Sequence, residues 1–197
     1  MLRLAHGTTT VGLRVKDGVV LAADKRASVG YYIAHKKVRK IVKIDDHVAM
    51  TTAGLVADAQ MLASELQYLA RQHKIETGMP ISVKSLASYL SLILNSSKYF
   101  PYVVQLLLGG YDDKPRLYAI EWFGDYIEED YAVTGSGSPV AVGVLEAEYR
   151  KDLSIEEAIK LAVKAVRSAI RRDVFTGEAV DVAVVTRSGV TIKSFPR

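Results

Sequence analysis

The sequence predicts an α+β fold in which two β-sheets pack face to face with helices on their outer sides. The first observation is order. Periodicity divides the 197 residues into strands, two helices, strands, two helices and strands. Segregated runs of this kind favour packed layers over alternating βαβ units. The second is continuity: no repeat and no linker interrupts the order, so a single domain is expected. The third is composition, with 49% apolar and 24% charged residues and no excess of glycine or proline, the profile of a chain with material for a core.

The elements follow in order. Thr9, Val11, Leu13 and Val15 alternate with Thr8, Thr10, Gly12 and Arg14, the period of a half-buried strand. Lys16-Asp17-Gly18 reads as a tight hairpin turn with glycine supplying positive φ. Val19 to Ala23 is a continuous apolar strand, buried on both faces, that stops at Asp24-Lys25-Arg26. A two-residue Asp17-Gly18 turn would set Asp24 opposite Val11, three residues along from Thr8 and roughly 10 Å from it. A slip of one residue would turn Asp24 to the other face. Short strands are expected at Tyr31–His35, Lys40–Ile44 and His47–Ala53, with a turn at Asp45-Asp46, and Gly54 marks the passage into a helix from about Val56 to His73.

A second helix runs from about Ser82 to Ser97, with Val83, Leu86, Leu90, Ile93 and Leu94 on its apolar face. Tyr102–Tyr111 reads as an apolar strand ended by Gly109-Gly110, with Arg116–Trp122 as its hairpin partner and Tyr126–Val133 as one further strand. After Thr134-Gly135-Ser136-Gly137, Ser138-Pro139 opens a helix, since proline fits the first helical turn. Ser154-Ile155-Glu156-Glu157 is a capping box opening a helix to about Arg172. Asp173 stands at its C-terminal end, where a carboxylate opposes the helix dipole, and such a breach of a local rule marks a candidate functional residue. Val180–Thr186 and Val190–Phe195 form the last hairpin, around Ser188-Gly189.

Several chemistries are excluded. The chain has no cysteine, so it has no disulfide, no thiol nucleophile and no cysteine metal site, which fits a reducing cytosol. His6, His35, His47 and His73 are scattered, with no metal-binding spacing among them. No apolar run approaches the roughly 18 residues of a membrane helix. Thr134-Gly135-Ser136-Gly137-Ser138 is neither a Walker A loop nor a nucleophile elbow, but it leaves amides and a hydroxyl free to face a site. The net charge of +4 is mildly basic. Lys36, Lys37, Arg39, Lys40 and Lys43 could bind phosphates, but the interleaved Val38, Ile41, Val42 and Ile44 favour a strand with one solvated face. One lysine buried at the start of that strand would instead be a fixed charge able to lower a neighbour's pKa.

One stretch carries chemistry of its own. In Gly7-Thr8-Thr9-Thr10-Val11-Gly12 the threonines favour extended backbone. Gly7 has no Cβ to crowd its carbonyl. Cleavage of the Gly7–Thr8 bond would leave Thr8 as a new N-terminus, a hydroxyl nucleophile beside its own amine base. An ordinary first strand containing threonines is the plainer reading of this stretch taken alone.

Taken together, Gly7-Thr8-Thr9-Thr10-Val11-Gly12, Asp24, Lys40, Thr52-Ala53-Gly54-Leu55, Thr134-Gly135-Ser136-Gly137-Ser138 and Arg172-Asp173 resemble proteasome β subunits of the archaeal catalytic type in order and spacing. The resemblance runs over essentially the whole chain from Thr8. It implies a four-layer αββα sandwich of the N-terminal-nucleophile hydrolase class, with residues 1–7 a short propeptide and 8–197 one domain. It implies cleavage between Gly7 and Thr8, Thr8 as nucleophile, Asp24 and Lys40 as the charged pair beside it, and the Gly54 N–H as oxyanion donor. Ser136 and Asp173 would complete a polar network around the Thr8 amine. Thr176 stands where the family usually has serine. Ala27, Val38, Val42, Thr52 and Val56 would line the substrate side-chain pocket, and Ser28 would pair its backbone with the peptide. Because those pocket positions carry no charge, cleavage after apolar or aromatic residues is expected rather than after acidic ones.

The same resemblance implies a cytoplasmic threonine-type endopeptidase for unfolded polypeptides, with no metal and no cofactor. Its partners would be other β subunits in a seven-membered ring, an α-subunit ring, and a separate ATPase regulator, since no nucleotide motif is present. No nucleic acid and no membrane is expected to bind. Two other readings remain at this point: an assembled but unprocessed, inactive structural subunit, and a nucleic-acid-binding domain resting on the His35–Lys43 run alone.

Overall fold

The structure is a computed structural model and describes residues 7–196, so the expected leader lies outside the described residues except for Gly7. Four strands and a hairpin come first: β1 (Thr10–Val15), β2 (Gly18–Asp24), β3 (Ala27–Val29), β4 (Tyr32–His35), β5 (Ile41–Asp45) and β6 (Val48–Gly54). Helices α1 (Val56–Thr77) and α2 (Val83–Ser96) follow, then β7 (Val104–Tyr111), β8 (Pro115–Ile120), β9 (Tyr126–Glu128) and β10 (Tyr131–Thr134). Helices α3 (Ser138–Glu148) and α4 (Ile155–Ile170) precede the final hairpin of β11 (Val180–Thr186) and β12 (Gly189–Phe195).

Two five-stranded antiparallel sheets form, in the orders β10-β1-β2-β11-β12 and β5-β6-β7-β8-β9, with β3-β4 as a separate hairpin. Three cores define the layers. Leu62, Leu66, Leu86 and Leu90 pack α1 and α2 on Met50, Leu106 and Leu108 of one sheet. Ala158, Ala162 and Val166 of α4 pack on Val11, Leu13, Val20 and Ala22 of the other. Between the sheets lie Val19, Leu21, Ala23, Leu107, Leu117 and Ala183. The result is a four-layer αββα sandwich, as the order of elements predicts. The unbroken apolar run of β2 is explained by this geometry. Val19, Leu21 and Ala23 face the opposite sheet while Val20 and Ala22 face the helices, so both faces of the strand are dry.

Helix ends follow their sequence signals. Ser82 accepts from the Ser85 N–H at 3.1 Å. Ser154 and Glu157 form the reciprocal capping box ahead of α4. Gly78 closes α1 at φ +72°, a left-handed cap that suits glycine.

Four expectations are corrected. The β1–β2 loop is Lys16-Asp17, with Val15 opposite Gly18, so Asp24 donates its N–H to the Thr9 carbonyl at 3.3 Å instead of facing Val11. The offset is two residues in pairing, which preserves the face and brings Asp24 one residue from Thr8. Gly18 is absent from the positive-φ positions; its lack of a side chain matters because a Cβ would lie 2.3 Å from the Val185 carbonyl oxygen. Gly109 and Gly110 lie inside β7 and do not end it. A Cβ on Gly109 would meet Val19 Cγ1 at 2.7 Å, so glycine lets the two sheets approach. Finally, Tyr126–Val133 is two strands in different sheets: β9 pairs with β8, and β10 pairs with β1. The crossing at Glu129-Asp130 is held by the Arg14 N–H on the Asp130 carbonyl (2.8 Å), by Arg14 on the Asp130 carboxylate, and by Lys151 on that carboxylate (2.6 Å).

Candidate active site

The site lies at one end of the sandwich, where both sheets contribute. Thr8 precedes β1 and is 4% exposed. Its N–H donates to Ser136 Oγ at 3.3 Å, and its hydroxyl donates to the Gly7 carbonyl oxygen at 2.7 Å. The Thr8 carbonyl accepts from the Gly137 N–H at 3.4 Å, and from Ser136 Oγ at the same distance. Gly135, at φ +87°, takes the chain past Thr8 so closely that a Cβ there would lie 2.1 Å from the Thr8 carbonyl oxygen.

Asp24 ends β2 with no exposed surface, and its carboxylate is fully occupied. Oδ1 accepts from Lys40 Nζ at 2.7 Å and from the Thr9 N–H at 3.0 Å. Oδ2 accepts from the N–H groups of Arg26 at 3.0 Å and Gly177 at 2.9 Å. Lys40, just before β5, is 5% exposed, and the other four cations of the basic run lie at the surface. Its carbonyl is anchored by the Thr52 N–H at 2.9 Å, and Nζ also donates to the Gly7 carbonyl oxygen at 3.3 Å. Burial lowers the Lys40 pKa below its ordinary value, against the opposing pull of Asp24. The basic run therefore divides into a solvated face and one buried ion pair.

Asp173 lies past the end of α4, where its N–H donates to the Ala169 carbonyl at 2.8 Å. Its carboxylate is not a misplaced helix residue: Oδ2 accepts from Ser136 Oγ at 2.6 Å and from the Thr176 hydroxyl, and Oδ1 from the Phe175 N–H at 3.2 Å. The buried Thr176 hydroxyl also meets Thr9 Oγ1 at 2.7 Å. Hydroxyl and carboxylate groups thus run from Thr9 through Thr176, Asp173 and Ser136 to the Thr8 nitrogen. The methyl of Thr176 does not prevent these contacts.

A cavity of about 330 Å³ opens beside Thr8, within the size range of ligand pockets. Its lining includes all six residues expected to meet substrate, Ala27, Ser28, Val38, Val42, Thr52 and Val56, together with Gly7, Thr8, Lys40 and Gly54. Gly54 adopts φ +109° and a Cβ there would fall 2.1 Å from the Val103 carbonyl oxygen, so only glycine fits. Arg26, Arg39 and Gln60 also line the cavity, which is therefore more polar than its expected lining. Gln105 also contributes, from a position to which the sequence patterns assign no role. Gln105 donates to Glu121 Oε2 at 2.9 Å and accepts from the Gly135 N–H at 3.2 Å, tethering the Ser136 loop to the other sheet. A lone amide in the apolar run of β7 was its only signal. Among the described residues no cluster of metal-ligating side chains occurs, and no helix is long and apolar enough to cross a membrane.

A family profile for the proteasome subunit matches residues 4–185. The chain belongs to the proteasome subunit family. Among relatives of this proteasome chain, proteasome subunit beta 2 of Hyperthermus butylicus is 58% identical over 93% of the chain and 87% of the relative. Proteasome subunit beta 2 of Ignicoccus hospitalis is 54% identical over 98% and 91%. Proteasome subunit beta 1 of Saccharolobus islandicus is 51% identical over 95% and 89%. The chain is thus a β-type proteasome subunit similar to those of archaea, and its αββα sandwich is that of the N-terminal-nucleophile hydrolases.

Proposed function

We propose that this β-type subunit is a threonine endopeptidase that gains activity when residues 1–7 are removed, leaving residues 8–197 as the mature domain. The observation that carries the reading is the convergence on the Gly7–Thr8 bond. The Thr8 hydroxyl lies on the Gly7 carbonyl oxygen, and Lys40 Nζ stands 3.3 Å from that same oxygen. In leader removal, Thr8 Oγ1 attacks the Gly7 carbonyl carbon and the oxyanion forms beside Lys40. Collapse breaks the C–N bond as the proton lost by the Thr8 hydroxyl passes to the Thr8 nitrogen, leaving Gly7 as an ester on Thr8. Water hydrolyses the ester, releasing residues 1–7 as an acid and Thr8 with a free amine.

That amine is the base for the mature reaction, since its reference pKa of about 7.7–8.0 lies near neutrality. It takes the Thr8 hydroxyl proton as Oγ1 attacks a peptide carbonyl, with Lys40 favouring the alkoxide and Asp24 holding Lys40 in place. The Gly54 N–H receives the oxyanion, a contribution of roughly 3 kcal/mol by comparison with other such donors. The amine then hands its proton to the leaving group and activates water against the acyl ester. Ser136, Asp173 and Thr176 orient the amine. Before cleavage the nitrogen is an amide without basicity, so the leader keeps the enzyme off.

The cavity walls at Ala27, Val38, Val42, Thr52 and Val56 favour cleavage after apolar or aromatic residues, with the Ser28 backbone pairing the peptide. Faster cleavage of small peptides ending in Glu than of those ending in Leu or Tyr would refute this preference and assign the cavity arginines a role in it. The relatives are named as proteasome subunits, which supports assembly with further subunits: a seven-membered β ring against an α ring, enclosing unfolded polypeptide delivered by a separate ATPase in the cytoplasm. The test is intact mass after mixing with proteasome α subunits. Loss of Met1–Gly7 with gain of peptidase activity, both absent in Thr8→Ala, is the expected result. A fully assembled particle that retains the leader would assign the chain a structural role.

A further inference from the structure

Glu178 holds φ +72°, the one non-glycine residue at positive φ among the described residues. Glycine adopts this conformation freely and glutamate does not. Strain of this kind persists where surrounding contacts impose it, and its location is a pointer to function. Here the contact is an ion pair with Arg26, whose Nη2 donates to Glu178 Oε1 at 3.1 Å, with the two side chains 15% and 24% exposed. Arg26 Nη1 donates to the Val174 carbonyl at 2.9 Å, so one guanidinium grips both ends of the loop 174–178. The guanidinium lies so close under Gly177 that a Cβ there would fall 2.2 Å from its carbon.

The gripped loop abuts the site at Gly7 and Asp24. It follows Asp173 and carries Thr176, and its Gly177 N–H is one of the four donors to Asp24. It also confines the scissile junction: a Cβ on Gly7 would lie 1.6 Å from Phe175 Cβ. The backbone N–H of Arg26 reaches Asp24 as well, so one residue spans the loop and the Asp24–Lys40 pair.

We infer that Glu178, acting through Arg26, is a positioning residue that fixes the Asp173–Gly177 loop against Gly7 and Thr8 and thereby sets the rate of leader removal and of peptide cleavage. This rests on the function proposed above. What glutamate adds over glycine at this position is a carboxylate, and its contact is with the arginine that ties the loop down. Displacing reacting groups by even 1 Å costs about 100-fold in rate, so a weakened grip is read in turnover before it is read in folding.

The experiment uses the chain of residues 1–197 assembled with α subunits, as wild type, Glu178→Gly and Glu178→Gln. Leader loss is followed by intact mass. Turnover of a fluorogenic tetrapeptide ending in tyrosine is measured per processed chain, and melting is recorded on the same samples. Both variants should slow leader loss and lower kcat by about 10-fold or more, with KM within about twofold because Glu178 lies outside the cavity lining. Glu178→Gly should melt no lower than wild type, since relief of the strained φ offsets the lost ion pair. Wild-type rates in both variants would overturn the inference. So would rate losses that merely track a lowered melting temperature. A wild-type assembly that keeps its leader and cleaves nothing would overturn the proposed function and this inference with it.

Discussion

Replacing Asp24 by asparagine removes one negative charge from a site that the fold leaves no way to compensate. The carboxylate is completely buried and accepts from four donors: Lys40 Nζ and the N–H groups of Thr9, Arg26 and Gly177. An amide in its place offers one oxygen and turns an NH2 toward two of those donors. It also leaves the 5% exposed Lys40 ammonium without a counter-charge. Breaking a buried ion pair from one side costs about 3–5 kcal/mol, a large part of the roughly 5–15 kcal/mol that holds a domain together. At about 2–4 °C per kcal/mol for a chain of this size, Asp24→Asn should melt about 6–20 °C lower than wild type. Lys40→Met, which removes the charge and keeps the apolar stem volume, should restore much of that loss in the double variant. The penalties should therefore fall short of additivity by about 2 kcal/mol or more. Peptidase activity should be absent from all three variants. Thermal and guanidinium unfolding of the set measures the cycle. A loss below about 1 kcal/mol for Asp24→Asn, or penalties that simply add, would refute the buried pair as described.

Lys40 also fixes a pH dependence. Its pKa in the folded chain is depressed by burial, so the unfolded chain holds the proton more tightly. Stability should therefore rise as pH climbs from the folded value toward the ordinary 10.5. The cost is fully present at lower pH, and the rise should vanish in Lys40→Met, which unfolding curves between pH 7 and about 10.5 would test. Gly54→Ala places a Cβ against the Val103 carbonyl at a φ that alanine avoids; a loss of about 1–3 kcal/mol, read by chemical denaturation, is expected together with failure to process the leader. Thr176→Val leaves Thr9 Oγ1 and Asp173 without their shared hydroxyl and should cost about 1–3 kcal/mol. Thr176→Ser keeps both bonds and should stay within about 1 kcal/mol of wild type, so equal melting of the two variants would contradict the network.

Residue patterns made the layers legible because each strand's alternation reports which side is dry. They did not report which strand it pairs with. The alternation from Tyr126 to Val133 continues across Glu129-Asp130 while the hydrogen-bond partner changes from β8 to β1, and only the grip of Arg14 and Lys151 on Asp130 marks the crossing. Register was hidden for a related reason. The β1–β2 hairpin closes at Lys16-Asp17 because the β11 backbone passes against Gly18, a tertiary contact that no turn preference records. These two facts also govern the site. The register places Asp24 beside Thr9, and the crossing returns the chain to β1 so that Ser136 reaches Thr8. Lys40 and Gly54 come from the other sheet, and Gln105 of that sheet tethers the Ser136 loop from across the seam. The chemical types were visible along the chain because each breaks a local pattern, as a charge closing an apolar strand or a carboxylate at a helix C-terminus. Their distances depend on how the two sheets stack face to face. Arg26 falls between these cases: as a surface cation in the sequence it signals nothing, yet its reach to Val174, Glu178 and Asp24 joins the loop to the buried pair.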